Sequence, residues 1–506
     1  MNIKKLIGKV ALLGLACLAV SNTFAEEAKR KPNVILMLAD DLGYGDTGFN
    51  GNTLIKTPNL DALAGDGSVL RHFYSIGPVC SPTRGAYLTG RHYYRFGVFY
   101  ANQGHLPAQE YTIAKMLKEA GYTTGHFGKW HLGTVNAEHS SKGAGRKPKE
   151  NFSPPWLRDY DESFVTESAV STWDPAKNMA RYKLNEYYHN GVIETENLDG
   201  CDSRVIMDRV IPFIEKAVAE KKPFLSVIWF HASHAPTVAG PQYLAMYPDT
   251  GAAGHFYGCI TAMDDQVGRL REKLKELGQD DNTFIFFTSD NGPEGANTPE
   301  VANAKTKSAL AGTTGGFTGR KRSINDGGVR VPTFVYYPAS IKGGEINNVP
   351  MSTLDLLPTV AKVTGAKINS KLILDGQDFM PIVTGKETTH SRSIPFRSDS
   401  YACLVKGKYK LIIKSMDDTS EDKLHNLDED KTEEVNVISQ HPEMAAEMRK
   451  EIMDFLASAE KSHAGEEYDT PYTPTNNWQV LGAKKVMGDV KQTKAKKTTA
   501  KKKKAE

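Results

Sequence analysis

Asn33-Val34-Ile35-Leu36-Met37-Leu38-Ala39, followed at once by Asp40-Asp41, is the stretch on which the fold turns. An apolar run of this length, closed by carboxylates, reads as a buried strand. Working outward, Thr112 to Ala120 is amphipathic and stops at Gly121, as a helix does, and Tyr122 to Phe127 returns as strand. Further strands are expected at Phe224 to Phe230, Thr283 to Thr288 and Thr333 to Tyr336, with helices at Ser203 to Glu220 and Gly258 to Leu277 between them. The alternation is that of an α/β protein with a largely parallel sheet. Polar residues follow each strand, and in such sheets ligands lie beyond the carboxyl ends of the strands.

The 506 residues, 40% of them hydrophobic and 24% charged, form a folded chain too long for one minimal core. One large domain with a smaller one attached is expected. Lys4, Lys5 and Lys9 precede an apolar run from Val10 to Val20 and then Thr23-Phe24-Ala25. This reads as a signal peptide over residues 1–25, cut after Ala25, and places the chain in the periplasm or outside the cell. The run is shorter than the roughly 20 apolar residues a bilayer needs, and no later segment is long enough to span. A lipid anchor at Cys17 is the weaker reading, because Gly14 sits where such anchors favour Leu.

Cys80, Cys201, Cys259 and Cys403 are too few for a disulfide framework. Residues 484–506 hold ten Lys against Asp489 and Glu506, so the rest of this chain of net charge +3 is mildly acidic. A Lys, Ala and Thr block has no face to bury and is expected to be disordered. It reads as a solubilising tail, or as a contact for polyanions.

Asp40-Asp41 and Ser289-Asp290-Asn291-Gly292 follow two of the strands. Singly, such residues are ordinary turn formers. Together Asp40, Asp41, Asp290 and Asn291 supply three carboxylates and an amide oxygen, a set that suits Ca²⁺ or Mg²⁺ rather than zinc.

Between them lies Cys80-Ser81-Pro82-Thr83-Arg84, continued to Gly90-Arg91. It resembles the C-x-P-[ST]-R motif of the type I, formylglycine-dependent sulfatases of the alkaline phosphatase superfamily. Asp40-Asp41, Gly128-Lys129-Trp130-His131, His234-Ala235-Pro236, Asp290-Asn291-Gly292, and Lys321 with Asp326-Gly327-Gly328-Val329-Arg330 occur in the family's order. The resemblance covers Asn33 to Val335 strongly. It implies an enzyme that hydrolyses sulfate monoesters, with Cys80 converted by a formylglycine-generating maturation enzyme. Formylglycine at position 80 would be nucleophile and metal ligand, sharing one Ca²⁺ with Asp40, Asp41, Asp290 and Asn291. Asp290 would also take the attacking proton, and Arg84 would fix the nucleophile. Lys129 and His131, two apart on an extended segment, are expected on one face. His234 and Lys321 match the residues that grip sulfate and protonate the departing oxygen, with His234 favoured as the acid. Asp326 stands where many relatives carry Glu.

The chemistry accounts for these residue types. A sulfate ester is an anion, so a divalent cation with Lys, Arg and His offsets the charge that repels a nucleophile. A Ser nucleophile would end as a stable ester. A hydrated aldehyde carries two hydroxyls, one to attack sulfur and one to expel sulfate.

The fold implied is that of alkaline phosphatase: a mixed, mostly parallel sheet between helices over residues 26–390, then a small domain of antiparallel sheet and helix over 391–483. A hairpin from Cys403 to Lys414 turning at Gly407, a strand at Lys423 to Leu427 and a helix from Pro442 to Ala457 agree with it. The substrate class expected is a sulfated carbohydrate, with Trp156, Trp173, Tyr187, Tyr188 and His189 either stacking on sugars or filling the core. Two other readings are a phosphonate or phosphate diester hydrolase of the same superfamily and a non-catalytic polyanion-binding protein. The first typically has His after the aspartate that here is Asp290, and Asn291 argues against it.

Overall fold

The computed structural model describes residues 30–177, 185–295, 309–389 and 392–482. In chain order its strands are β1 (Asn33–Ala39), β2 (Ser68–Leu70), β3 (Phe73–Tyr74), β4 (Thr123–Lys129), β5 (Glu162–Thr166), β6 (Tyr187–His189), β7 (Val192–Glu194) and β8 (Phe224–Trp229). There follow β9 (Thr283–Ser289), β10 (Phe334–Tyr336), β11 (Glu345–Asn347), β12 (Met351–Ser352), β13 (Ile394–Arg397), β14 (Ala402–Lys406), β15 (Tyr409–Ile413) and β16 (Lys423–Asn426). The large sheet has the order β11-β2-β10-β9-β1-β8-β4-β5-β6-β7. Its middle, β9-β1-β8-β4-β5, is parallel throughout.

Every residue of β1 is buried because helices cover both faces of the sheet. Val34, Leu36 and Leu38 point into one layer, with helices Cys80–Thr89, Ile113–Glu119 and Leu356–Thr364. Ile35, Met37 and Ala39 point into the other, with helices Asp202–Ala219 and Ala253–Glu276. The second of these starts five residues before the expected Gly258. Helix Ile113–Glu119 is capped by Thr112, whose hydroxyl accepts the Lys115 amide at 3.2 Å.

The strand expected at Thr333 to Tyr336 is present but reversed: β10 runs antiparallel to β9. With Phe334 opposite Phe287 and Tyr336 opposite Ile285, β10 begins toward the carboxyl end of β9. The residues before β10, not those after it, therefore stand near the site.

Strands β13 to β16 form a separate antiparallel sheet. The hairpin turns at Gly407, whose φ of 57° lies in the left-handed region that glycine adopts without strain. Helix Pro442–His463 runs beyond the expected Ala457 and packs Met448, Ile452 and Leu456 against Leu404, Leu411 and Leu424. The opposite face of this sheet, with Phe396, Cys403 and Val405, joins the main core. A buried ammonium ties the two sheets polar-wise: Lys410 Nζ lies 2.8 Å from Asp326 Oδ1 and 2.9 Å from Glu433 Oε1. Glu433 Oε2 also accepts the Asp326 amide at 2.7 Å. Burial opposes ionisation of Asp326, but Lys410 and Arg330 outweigh it and hold its pKa at about 2. The expected leader and Lys-rich tail, and the boundary near His390, lie outside the described residues. No described helix is long and apolar enough to cross a membrane.

Candidate active site

Strands β1 and β9 pair in register from Asn33 with Thr283 to Ala39 with Ser289. The two acidic stretches that follow them must therefore meet. The Asp290 amide donates to Ala39 O, and the Asp41 amide donates to Asp290 Oδ1 at 3.2 Å. Asp41 takes a left-handed φ of 64°, which turns the chain directly after the strand. Asn291 Nδ2 donates to Asp41 Oδ1 at 2.8 Å. All four residues are buried.

Cys80 opens helix Cys80–Thr89, and Arg84 stands one turn further on the same face. The Cys80 thiol donates to Asp40 Oδ1 at 3.5 Å. Arg84 Nε and Nη2 both donate to Asp290 Oδ2, at 3.0 and 2.7 Å, and Nη2 lies 3.4 Å from Asp40 Oδ1. The guanidinium also sits 5.0 Å from the centre of the Trp229 ring. Its ionic partners are thus the carboxylates around Cys80, through which any hold on the nucleophile must pass.

Lys129 ends β4 and donates to Asp40 Oδ2 at 2.7 Å; Lys321 donates to both oxygens of Asp41, at 2.6 and 2.8 Å. His131 does not share a face with Lys129 by strand alternation. β4 stops at Lys129, and His131 has a left-handed φ of 60°. Its Nε2 bonds Asn102 Oδ1 at 2.8 Å, while Nδ1 is buried without a partner. His234 donates from Nδ1 to Ala235 O at 2.6 Å, leaving Nε2 3.8 Å from Asp41 Oδ2.

Burial dominates the titration of this cluster. It pushes Cys80 up to about 12, reinforced by Asp290, so the thiol stays protonated and weakly nucleophilic. Burial and then the neighbouring Asp40 raise Asp290 to about 6. Asp40 resists burial and is held well below the usual range by Lys129 and then His234. Burial lowers His234 to about 4, and burial with Lys129 keeps His131 neutral.

Three neighbours escaped the sequence reading. Asn102 orients His131, and Glu294 lies 3.9 Å from Lys321 and 2.5 Å from Arg322. Lys142 is a further cation near the cluster, its pKa lowered by desolvation and then by Lys129. All three come from loops whose path no sequence pattern announces. Of the aromatics read as either stacking on sugars or filling the core, Tyr187, stacked on Phe164 and bonded to Asp202, and Tyr188, buried against Trp156, belong to the core, while Trp156 and Trp173 are partly buried, Trp173 beside Cys201. His189 pairs with Glu162 at 2.5 Å.

The cluster fits a hard divalent cation. Asn291 Oδ1 is buried with no hydrogen-bond partner, although the Nδ2 of the same amide is satisfied. An acceptor left bare among carboxylates is what a cation would take. Among the described residues, Asp40, Asp41, Cys80 and His234 bring ligand atoms within 4.8 Å of one another.

A sequence model of the Sulfatase family matches residues 32–366. The chain belongs to the sulfatase family. This sulfatase is 30% identical over 417 residues to the N-acetylgalactosamine-6-sulfatase of Canis lupus familiaris, covering 78% of its own length and 74% of the relative. To the steryl-sulfatase of Mus musculus it is 29% identical over 443 residues, covering 74% and 68%. Among solved structures, Ps i-CgsB in complex with k-i-k-neocarrahexaose matches at TM-score 0.70 and 29% identity, over 84% of this chain and 92% of the other. PsFucS1 sulfatase from Pseudoalteromonas sp. matches at 0.70 and 26%, over 90% and 95%. The phosphonate monoester hydrolase of Agrobacterium radiobacter, at 18% identity and TM-score 0.59, shares the fold alone. The sulfatase is an enzyme that hydrolyses sulfate esters.

Proposed function

We propose that this sulfatase removes sulfate from sulfated carbohydrates, with Cys80 converted to formylglycine by a maturation enzyme and one Ca²⁺ held by Asp40, Asp41, Asp290, Asn291 and the modified residue 80. The observation that carries the reading is the contact of Cys80 Sγ with Asp40 inside a ring of three carboxylates and three cations. The carbohydrate part is supported by the named relatives, one an N-acetylgalactosamine-6-sulfatase and one solved with k-i-k-neocarrahexaose.

Arg84, Lys129 and Lys321 balance Asp40, Asp41 and Asp290 in charge. A divalent cation supplies the excess positive charge that receives an anionic ester and stabilises charge on its oxygens. Asp290, raised towards neutrality, is suited to accept a proton from a hydroxyl at residue 80. Lys129 and Lys321 hold the sulfate oxygens, and His131 adds a neutral polar edge. His234 keeps Nδ1 on the Ala235 carbonyl, so Nε2 faces the site and is the nitrogen that gives the leaving alcohol its proton. A neighbouring sulfate anion favours the charged imidazole that this role needs.

Export to the periplasm or beyond, and contact of the 484–506 segment with polyanions, are the parts of this proposal that rest on sequence alone. The test is sulfate release by the matured enzyme from a panel of defined sulfated oligosaccharides, read as free sulfate and product mass. Release from at least one class is expected. Activity confined to phosphate diesters or phosphonates would defeat the reading.

A further inference from the structure

Lys321 belongs to more than the catalytic cluster: its loop forms one wall of a cleft of about 1080 Å³. Arg320 and Arg322, on either side of it, line the same cleft, and the small antiparallel sheet opposite contributes Tyr401, Lys414 and Lys423. Five cations thus border one space. The acids that answer them are Asp41, paired with Lys321, Glu421, paired with Lys414, Glu433, buried against Lys410, and Glu294, paired with Arg322, which leaves Arg320 and Lys423 as the excess. Positive charge remains in excess along a wall that begins at the reacting centre.

Arg322 is unusual in its backbone. Its φ is 79°, in the left-handed region where glycine is the unstrained choice. The turn is fixed by the Arg322 amide donating to Pro78 O at 2.8 Å and the Ser323 amide donating to Arg320 O at 2.9 Å. The guanidinium meets Glu294 through Nη1 and Nη2, and its side chain retains 36% exposure toward the cleft. Glu294 takes one N–H from each of Nη1 and Nη2, and the remaining donors of the planar fork can meet a carboxylate or sulfate edge.

We propose that this cleft is a second anion subsite, in which Arg322, with Lys414 and Lys423 on the facing wall, grips a sulfate ester or carboxylate on a sugar next to the one being desulfated. The proposal rests on the carbohydrate reading above. Lys321 lies between the two spaces, its backbone neighbours in the cleft and its ammonium on Asp41, so the proposal requires one glycan chain to reach both. The enzyme then selects substrates that carry adjacent anions, and the neighbour of the reacting sugar sets the preference.

Three oligosaccharides test this, sharing the sugar that is desulfated and carrying a neutral, a uronic acid or a sulfated neighbour. For the matured wild type, kcat/KM should rise roughly ten- to a hundredfold from the neutral to a charged neighbour, the size expected of charge-assisted hydrogen bonds. Whether the uronic or the sulfated arm gains more identifies the natural anion. Arg322→Gly suits the left-handed turn but leaves Glu294 without its guanidinium, so the protein should stay folded by circular dichroism with a modest change in Tm while the preference collapses toward one. Lys423→Gln, from the other wall, should reduce the preference about threefold. Equal kcat/KM for all three neighbours in the wild type, or a preference that survives both substitutions, overturns the subsite. Failure to release sulfate from any carbohydrate, by matured protein that hydrolyses an aryl sulfate, overturns the carbohydrate reading and the subsite with it.

Discussion

Arg84 holds one oxygen of Asp290, Oδ2, from two nitrogens at 3.0 and 2.7 Å, and neither side chain has any exposed surface. The other oxygen, Oδ1, is occupied by the Asp41 amide. Arg84→Ala would leave Asp290 and Asp40 as buried carboxylates without their shared cation. Removing one partner of a buried pair costs about 3–5 kcal/mol. Denaturant unfolding should show a loss of that size, with sulfate release reduced in parallel. Arg84→Lys should recover only part of it, since an ammonium cannot reproduce the fork. A variant as stable as wild type would contradict this account of the pair.

Metal removal gives a second expectation. Chelation should lower sulfate release roughly 10³-fold or more, the scale of several kcal/mol of charge stabilisation. Ca²⁺ should restore activity better than Zn²⁺, because the bare Asn291 Oδ1 and three carboxylates are hard donors. Full turnover in protein shown by elemental analysis to be metal-free would refute it.

Position 80 can be read directly. Mass spectrometry of the peptide spanning Pro78 to Arg84 from active enzyme should find formylglycine there. Cys80→Ala should keep the fold and lose activity by several orders of magnitude. Burial and the neighbouring Asp290 push the unmodified thiol up, which disfavours the thiolate it would need as nucleophile. Full-rate hydrolysis by protein quantified as unmodified would sink the mechanism.

His126 offers a pH test away from the site. It sits among Trp130, Tyr160 and Trp229 with both ring nitrogens buried and unpartnered. Burial, then Arg84, holds its pKa well below the usual 6.5. Below about pH 6.5 the unfolded chain takes up this proton and the folded chain does not, so stability is lost as pH falls. His126→Phe removes that loss. Its advantage over wild type should be small at pH 8 and grow by up to about 1.4 kcal/mol per pH unit below 6.5. An advantage independent of pH in paired melting curves would contradict it.

Much of the frame is visible in the sequence because it follows from strand register. The run Asn33 to Ala39 and the run ending at Ser289 are buried parallel neighbours, and aligned strands bring Asp40-Asp41 and Asp290-Asn291 side by side. Local patterns fail where placement depends on a loop or on direction. Nothing in an apolar triplet says that Phe334–Tyr336 runs backwards. The left-handed turn at His131 breaks the alternation expected after Lys129. In sequence Tyr187 and Tyr188 could serve a sugar or the core, and only the placement of Phe164, Asp202 and Trp156 assigns them to the core.

Lys410 gives the small sheet an obligation that its position late in the chain does not suggest. Its ammonium is the counterion of Asp326, which lies five residues after Lys321 and inside the 32–366 segment matched by the family. That segment cut free would leave Asp326 with Arg330 alone opposite it and would uncover the part of the main core that Phe379, Ile394, Phe396, Cys403 and Val405 close. The small sheet thus acts as a keystone, and a version ending at the family boundary is expected to be less stable than the whole chain. A chimera that exchanged β13 to β16 between relatives would have to carry Lys410 and Glu433 together, or change Asp326 in the recipient to match.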